Sequence, residues 1–208
     1  GTMRSLEHSM QRLGTNTLDI VLIHDVNRRW QGDLVEQRYA EAMAEVHRRF
    51  PQDADAAALY AESLMNTRPW DQWTTDGQPQ PGTNDVLAAL EVARRLEPTH
   101  PGALHLTVHA LEASPHPELA DSAATTLRAL VPDSSHLVHM PAHIDVRLGR
   151  WADAAAANER AIEADERYLK PDPKIGFYAL YIAHNQHFLA YTAMMEGRTA
   201  VAVEHATK

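Results

Sequence analysis

The sequence predicts an all-α chain made of paired helices. Three observations carry this expectation. Ala-rich segments with apolar residues three and four positions apart dominate from about Leu34 onward, the spacing that lines one face of a helix. Pro and Gly interrupt those segments where helices must stop and turn. The segments also recur in pairs with a period of about 34 to 47 residues, which is the mark of a helical solenoid. At 208 residues, 44% hydrophobic and 23% charged, the chain is long and apolar enough to bury a real core.

Taken in order, the first 33 residues stand apart from the rest, with a short helix followed by an apolar strand at Leu18–Val26. Helices are then expected over 34–49, 54–67, 84–97, 102–113, 117–130, 135–148, 151–168 and 176–196, and a last one begins near Arg198. Asp53, Asn84, Ser135 and Asp153 lie at or near N-termini, where a side-chain oxygen can accept from a free backbone N–H. Pro98, Pro132 and Pro171 stand where helices end, because proline lacks the N–H and clashes with the preceding turn. The stretch Arg68–Gly82, with Trp70 and Trp73, is a long loop that a simple repeat does not need.

Several of these residues carry a family resemblance. Leu148-Gly149-Arg150-Trp151, followed by Ala154, Ala157, Ala161 and Ile162, resembles the tetratricopeptide repeat, whose A helix ends at a Gly-aromatic turn and whose B helix packs small residues against it. Arg95-Leu96-Glu97-Pro98 resembles the family's B-helix ending, and Met195-Glu196-Gly197-Arg198-Thr199 resembles another A-to-B turn. The resemblance covers about residues 38 to 208, roughly four units, and departs from the family in lacking several consensus aromatics. It implies a solenoid over 34–208 whose A helices line a concave face. Residues 4–14 together with Leu18-Asp19-Ile20-Val21-Leu22-Ile23-His24-Asp25 resemble an interior helix–strand unit of aldo-keto reductases, in which the His matching His24 is catalytic. The family's catalytic Asp, Tyr and Lys precede that unit and have no counterpart in this sequence. Segment 1–33 is therefore expected to be a fusion remnant without reductase activity and without a nicotinamide nucleotide. Lys208 falls inside an expected B helix, so either further chain or a homodimer is expected to cover that end.

Histidine is the compositional anomaly: there are 13 His and only 3 Phe. His105 and His109 are spaced i, i+4, with Glu112 one turn on. His136, His139 and His143 are spaced i, i+3, i+7. His184 and His187 are spaced i, i+3. Each set lies on one helix face, where side chains one turn apart are about 5–6 Å apart at Cβ, close enough for two imidazoles to share an ion. All three helices are A helices in the repeat register, so seven histidines are expected in one groove. Any single pair reads as well as a hydrogen-bonded core histidine, but three sets on one side of three successive units point to a metal.

Adjacent helix axes about 8–10 Å apart favour one site between 102–113 and 135–148 and another between 135–148 and 176–196. The expected ligands are His105, His109, His136, His139, His143, His184 and His187, with Glu112 either a further ligand or a partner that orients a His through its second nitrogen. Glu62 is a weaker candidate of the same kind. Pro141 either kinks its helix, re-aiming His139 relative to His143, or sits harmlessly in a first turn. Tyr178, Tyr181 and Phe188 either wall the groove or belong to the core. Imidazole-rich, thiolate-free sites suit Cu, Zn or Fe, so the expected chemistry is oxidation at Cu or Fe or hydrolysis at a Zn-bound water, acting on a small molecule. The alternative is a non-enzymatic scaffold that binds a peptide or protein partner. A formal charge of −9 argues against nucleic acid. No apolar run is long enough to span a bilayer and no signal-peptide pattern is visible, so the expectation is a cytoplasmic protein.

Overall fold

The computed structural model describes residues 28–171 and 176–208, with side chains from Leu34 onward. The helices of these residues are α1 (Arg28–Arg49), α2 (Ala54–Thr67), α3 (Thr83–Leu96), α4 (Pro101–Glu112), α5 (Asp121–Leu127), α6 (Ser135–His139), α7 (Pro141–Arg147), α8 (Trp151–Leu169), α9 (Ala179–Met195) and α10 (Thr199–Ala206). Short 3-10 turns at Pro117–Ala120 and Gly176–Tyr178 lead into α5 and α9. Among the described residues there is no strand, only an isolated antiparallel bridge between Trp73 and Pro79. The expected strand Leu18–Val26 and His24 lie outside them. No described helix is long and apolar enough to cross a membrane.

The helix ends follow local chemistry. Asp53 caps α2, its Oδ1 accepting from the Ala56 N–H at 2.9 Å. Asn84, Ser135 and Asp153 instead fall inside the first turns of their helices, after Gly82, Ser134 and Arg150. His100 does the capping at α4: Nδ1 accepts from the Ala103 N–H at 3.1 Å, Nε2 meets Asp55 at 2.9 Å, and Pro101 supplies the first helical position. The expected single helix over 135–148 is interrupted at Met140. Pro141 has no N–H to give Leu137, yet Met140 keeps helical dihedrals of −49° and −40°, and Pro141 sits in the first turn of the second piece. The expected helix over 117–130 is likewise a 3-10 turn followed by the shorter α5.

Helices pair in sequence order, α2 on α3, α4 on α5, α7 on α8 and α9 on α10. Two of the turns are built alike. Gly149 at φ +72° and Gly197 at φ +75° close α7 and α9; the next residues, Arg150 and Arg198, donate their N–H to Asp145 and Ala193 at 2.8 Å each. That six-to-one bond needs the left-handed region, which only Gly enters freely. Between the pairs the core is Leu104, Val108, Leu111, Leu127, Met140 and Ile144, with Ala120, Ala123 and Ala124 letting backbones approach. Each such aliphatic chain contributes about 1.5–3 kcal/mol when fully buried. Buried Asp145 is held between Arg128 and Arg150, at 2.9 Å from each, while Arg150 also binds Asp121, tying α5, α7 and α8 together. Asp165 of α8 accepts from Tyr178 at 2.6 Å and from Asn185 at 2.8 Å, and Asn185 also reaches the Ser135 hydroxyl at 2.8 Å. This second network fixes the start of α6 against α9, and with it His136 against His184.

Candidate metal centre

α4, α6–α7 and α9 bring six histidines together in two sets of three. In each set one ligand nitrogen per residue lies within 4.8 Å of the other two. The first is His105 and His109 from α4 with His136 from α6; the second is His139, His143 and His184 from α6, α7 and α9. The two inter-helix sites thus follow the division expected from helix spacing, and the middle helices supply ligands to both. The sets adjoin: His136 lies 6.2 Å from His139, and His109 lies 5.7 Å from His143, between ring centroids.

The nitrogens nearly have coordination spacing. His105 Nε2 is 3.0 Å from His136 Nε2, and His139 Nε2 is 2.8 Å from His143 Nε2. Two nitrogens on a tetrahedral ion with bonds of about 2.05 Å would stand roughly 3.3 Å apart.

The other ring nitrogens determine what those contacts are. Glu112 spans the two sets: one carboxylate oxygen meets His109 Nδ1 at 2.7 Å and the other meets His143 Nδ1. Burial pushes the Glu112 carboxyl up, but the bonds from His109 and His143 outweigh it and hold the group at about 2, so it is an ionised acceptor. His109 and His143 must therefore carry their protons on Nδ1. His139 is bound the same way, Nδ1 to Asn158 Oδ1 at 2.7 Å. The Asn158 amide cannot be turned round, because its Nδ2 donates to the Ala154 carbonyl at 2.8 Å. In all three rings Nδ1 is thus engaged by an acceptor and Nε2 is directed at the neighbouring rings, the orientation that a metal-bound imidazole takes.

Burial also disfavours a charge on four of the rings. It drives His105 down to about 3 and His136 to about 4, with neighbouring imidazoles adding to the effect, and it holds His139 and His184 below the ordinary range for the same two reasons.

Two expected ligands take other places. Glu112 has both oxygens engaged with imidazole N–H groups, so it orients ligands of both sets. His187 is exposed and belongs to neither set. At about 100° per residue, Tyr181 and Phe188 fall within about 60° of His184 on one side of α9 while His187 falls about 60° to the other, and the inward stripe is His184, Phe188 and Tyr181. Glu62 accepts from Asn66 instead, at 2.6 Å. Asn158 was not legible as part of the site. Its one sequence signal is a polar residue amid the alanines of α8 at a fully buried position.

The sets differ in their surroundings. Phe188 lies 4.9 Å from both His139 and His143 and 5.5 Å from His184, and His139 is 0% exposed. The first set instead meets Trp70, edge-on to His109 at 5.2 Å, and Tyr181, 4.9 Å from His136. Comparison of the chain with protein-family models, curated proteins and solved structures gives no match.

Proposed function

We propose that this chain is a metalloprotein that holds two transition-metal ions, three imidazoles to each, on a tetratricopeptide-like stack of helix pairs. The observation that carries the reading is the contact between His139 and His143. Both rings direct Nδ1 at an acceptor, Asn158 and Glu112, so their Nε2 atoms face each other at 2.8 Å. Two imidazole nitrogens turned toward each other in this way can share a cation, and a metal ion would be chelated between them. Burial disfavours a proton on His139 itself. A soft-to-borderline metal ion suits three neutral nitrogens better.

Ligand type narrows the metal. Six imidazoles, no cysteine in the chain and no carboxylate in either set among the described residues favour Cu or Zn, whereas non-haem Fe(II) sites commonly add a carboxylate and Mg or Ca require oxygen. Three nitrogens leave a tetrahedral ion one open position. Copper there would support oxidation of a small molecule, and zinc would support hydrolysis. The solenoid part of the reading is supported by the matched glycine turns at Gly149 and Gly197 and by the sequential pairing of helices.

Plasma mass spectrometry on untagged protein is the direct test, with about two equivalents of Cu or Zn expected. The paired substitution His105→Ala, His143→Ala should abolish retention with helicity intact. Failure to take up Cu, Zn or Fe under any loading condition would remove the metal and leave an imidazole-lined scaffold for a peptide partner.

A further inference from the structure

The loop between α2 and α3 presents Trp70 in an unusual way. Its φ is +62°, the one non-glycine residue among those described with a positive φ. Bulky side chains avoid this region, and such strain persists where the surroundings over-determine it. Here they do. Gln72 Nε2 donates to the Arg68 carbonyl at 2.8 Å, Thr83 Oγ1 to the Gln72 carbonyl at 2.7 Å, and Trp73 Nε1 to the Ala110 carbonyl of α4 at 2.7 Å. Trp73 is the anchor. Trp70, three residues earlier, is 82% exposed, with its ring beside His109. Trp70 thus holds an unfavourable backbone in a loop tied by three hydrogen bonds, and its ring is placed in solvent beside His109 rather than in the core.

Tyr181 stands beside His136 in the same set, with Phe177, 75% exposed, 6.2 Å beyond it. The second set has no equivalent, being lined by Phe188. We propose that Trp70 and Tyr181, each against a different ring of the His105, His109 and His136 set, line a binding subsite for a neutral aromatic molecule that carries a hydroxyl. Offset and edge contacts with the two rings select a flat aromatic ligand. A net charge of −9, with the nearby Arg68 already paired to Asp71 at 3.0 Å, selects against an anion. The hydroxyl oxygen takes the open position of the ion; this part rests on the metal reading.

The test is calorimetric titration of 4-methylphenol into zinc-loaded and metal-free protein, with bound zinc measured in the same samples. Trp70→Ala and Tyr181→Ala should each weaken binding about three- to tenfold, the range of one aromatic contact. Trp151→Phe, which lies against Tyr191 rather than the imidazoles, should bind as the parent does. Two equivalents of zinc with no probe binding, or with binding indifferent to Trp70, would overturn the subsite and leave the metal centre standing. Trp70-dependent binding in protein that takes up none of Zn, Cu or Fe would overturn the metal centre and keep the aromatic subsite. Trp70 makes few contacts, so a folding failure of the Tyr181 variant still leaves a decisive substitution.

Discussion

The two histidine sets are built from the same residue type on the same helices, yet they are not equivalent. The set of His139, His143 and His184 is the more firmly oriented. Phe188 lies against all three rings, and Asn158 and Glu112 engage Nδ1 of two of them. The set of His105, His109 and His136 is less constrained. Glu112 engages only His109, the buried Nδ1 of His136 has no partner, and the neighbouring Trp70 stands in solvent. A fully oriented set suits retention of an ion, and a less constrained one suits exchange of a ligand. One carboxylate linking both makes them a single centre with two unequal halves.

That inequality can be broken most severely at His139. His139→Ala removes a ligand with no exposed surface and should reduce bound metal from two equivalents to one. Two equivalents in that variant would refute the assignment of His139 to its own site. Glu112→Gln should weaken both sites together, by about 10–100-fold each, because outer-shell partners of metal-bound histidines typically carry that much affinity. Competition against a chelator would display two shifted steps; a single shifted step would show that Glu112 serves one site alone.

Asn158→Ala sharpens the contrast further. It should weaken only the site of His139, His143 and His184, by about tenfold, while the site of His105, His109 and His136 titrates as before. Acidification is a smaller, graded test on metal-free protein. His105 at about 3 and His136 at about 4 sit below the ordinary unfolded value of about 6.5, so the unfolded chain binds protons that the folded chain refuses. Stability from this source is complete above about pH 6.5 and is lost as the pH falls through about 4 for His136 and about 3 for His105. Urea midpoints at pH 7.5 and 4.5 should differ accordingly, and equal midpoints would mean that the two rings are not held neutral. The smallest effect belongs to His187→Ala, which should leave metal content and chelator competition unchanged.

Much of this was legible in the residues themselves. Apolar spacing and proline positions located the helices to within a few residues from Ala54 to Leu111, because those signals act within one turn. The start of α1 was less visible: it begins at Arg28 rather than near Leu34, since Arg28–Asp33 carries no apolar stripe. The break at Met140 was the milder of two readings of Pro141, and only the dihedrals decided between them.

The sequence by itself determined the helical class, the two glycine turns and the placement of three histidine sets on helix faces, because each depends on spacing along one chain segment. Tertiary packing decided which rings meet. His136 joins α4 while His139, three residues later, joins α9; His187 is turned away; Glu112 bridges two sites; and Asn158, nineteen positions from His139, fixes its tautomer. Such pairings depend on how helix axes are set against one another, and that is fixed by the sum of many core contacts rather than by any local run of residues.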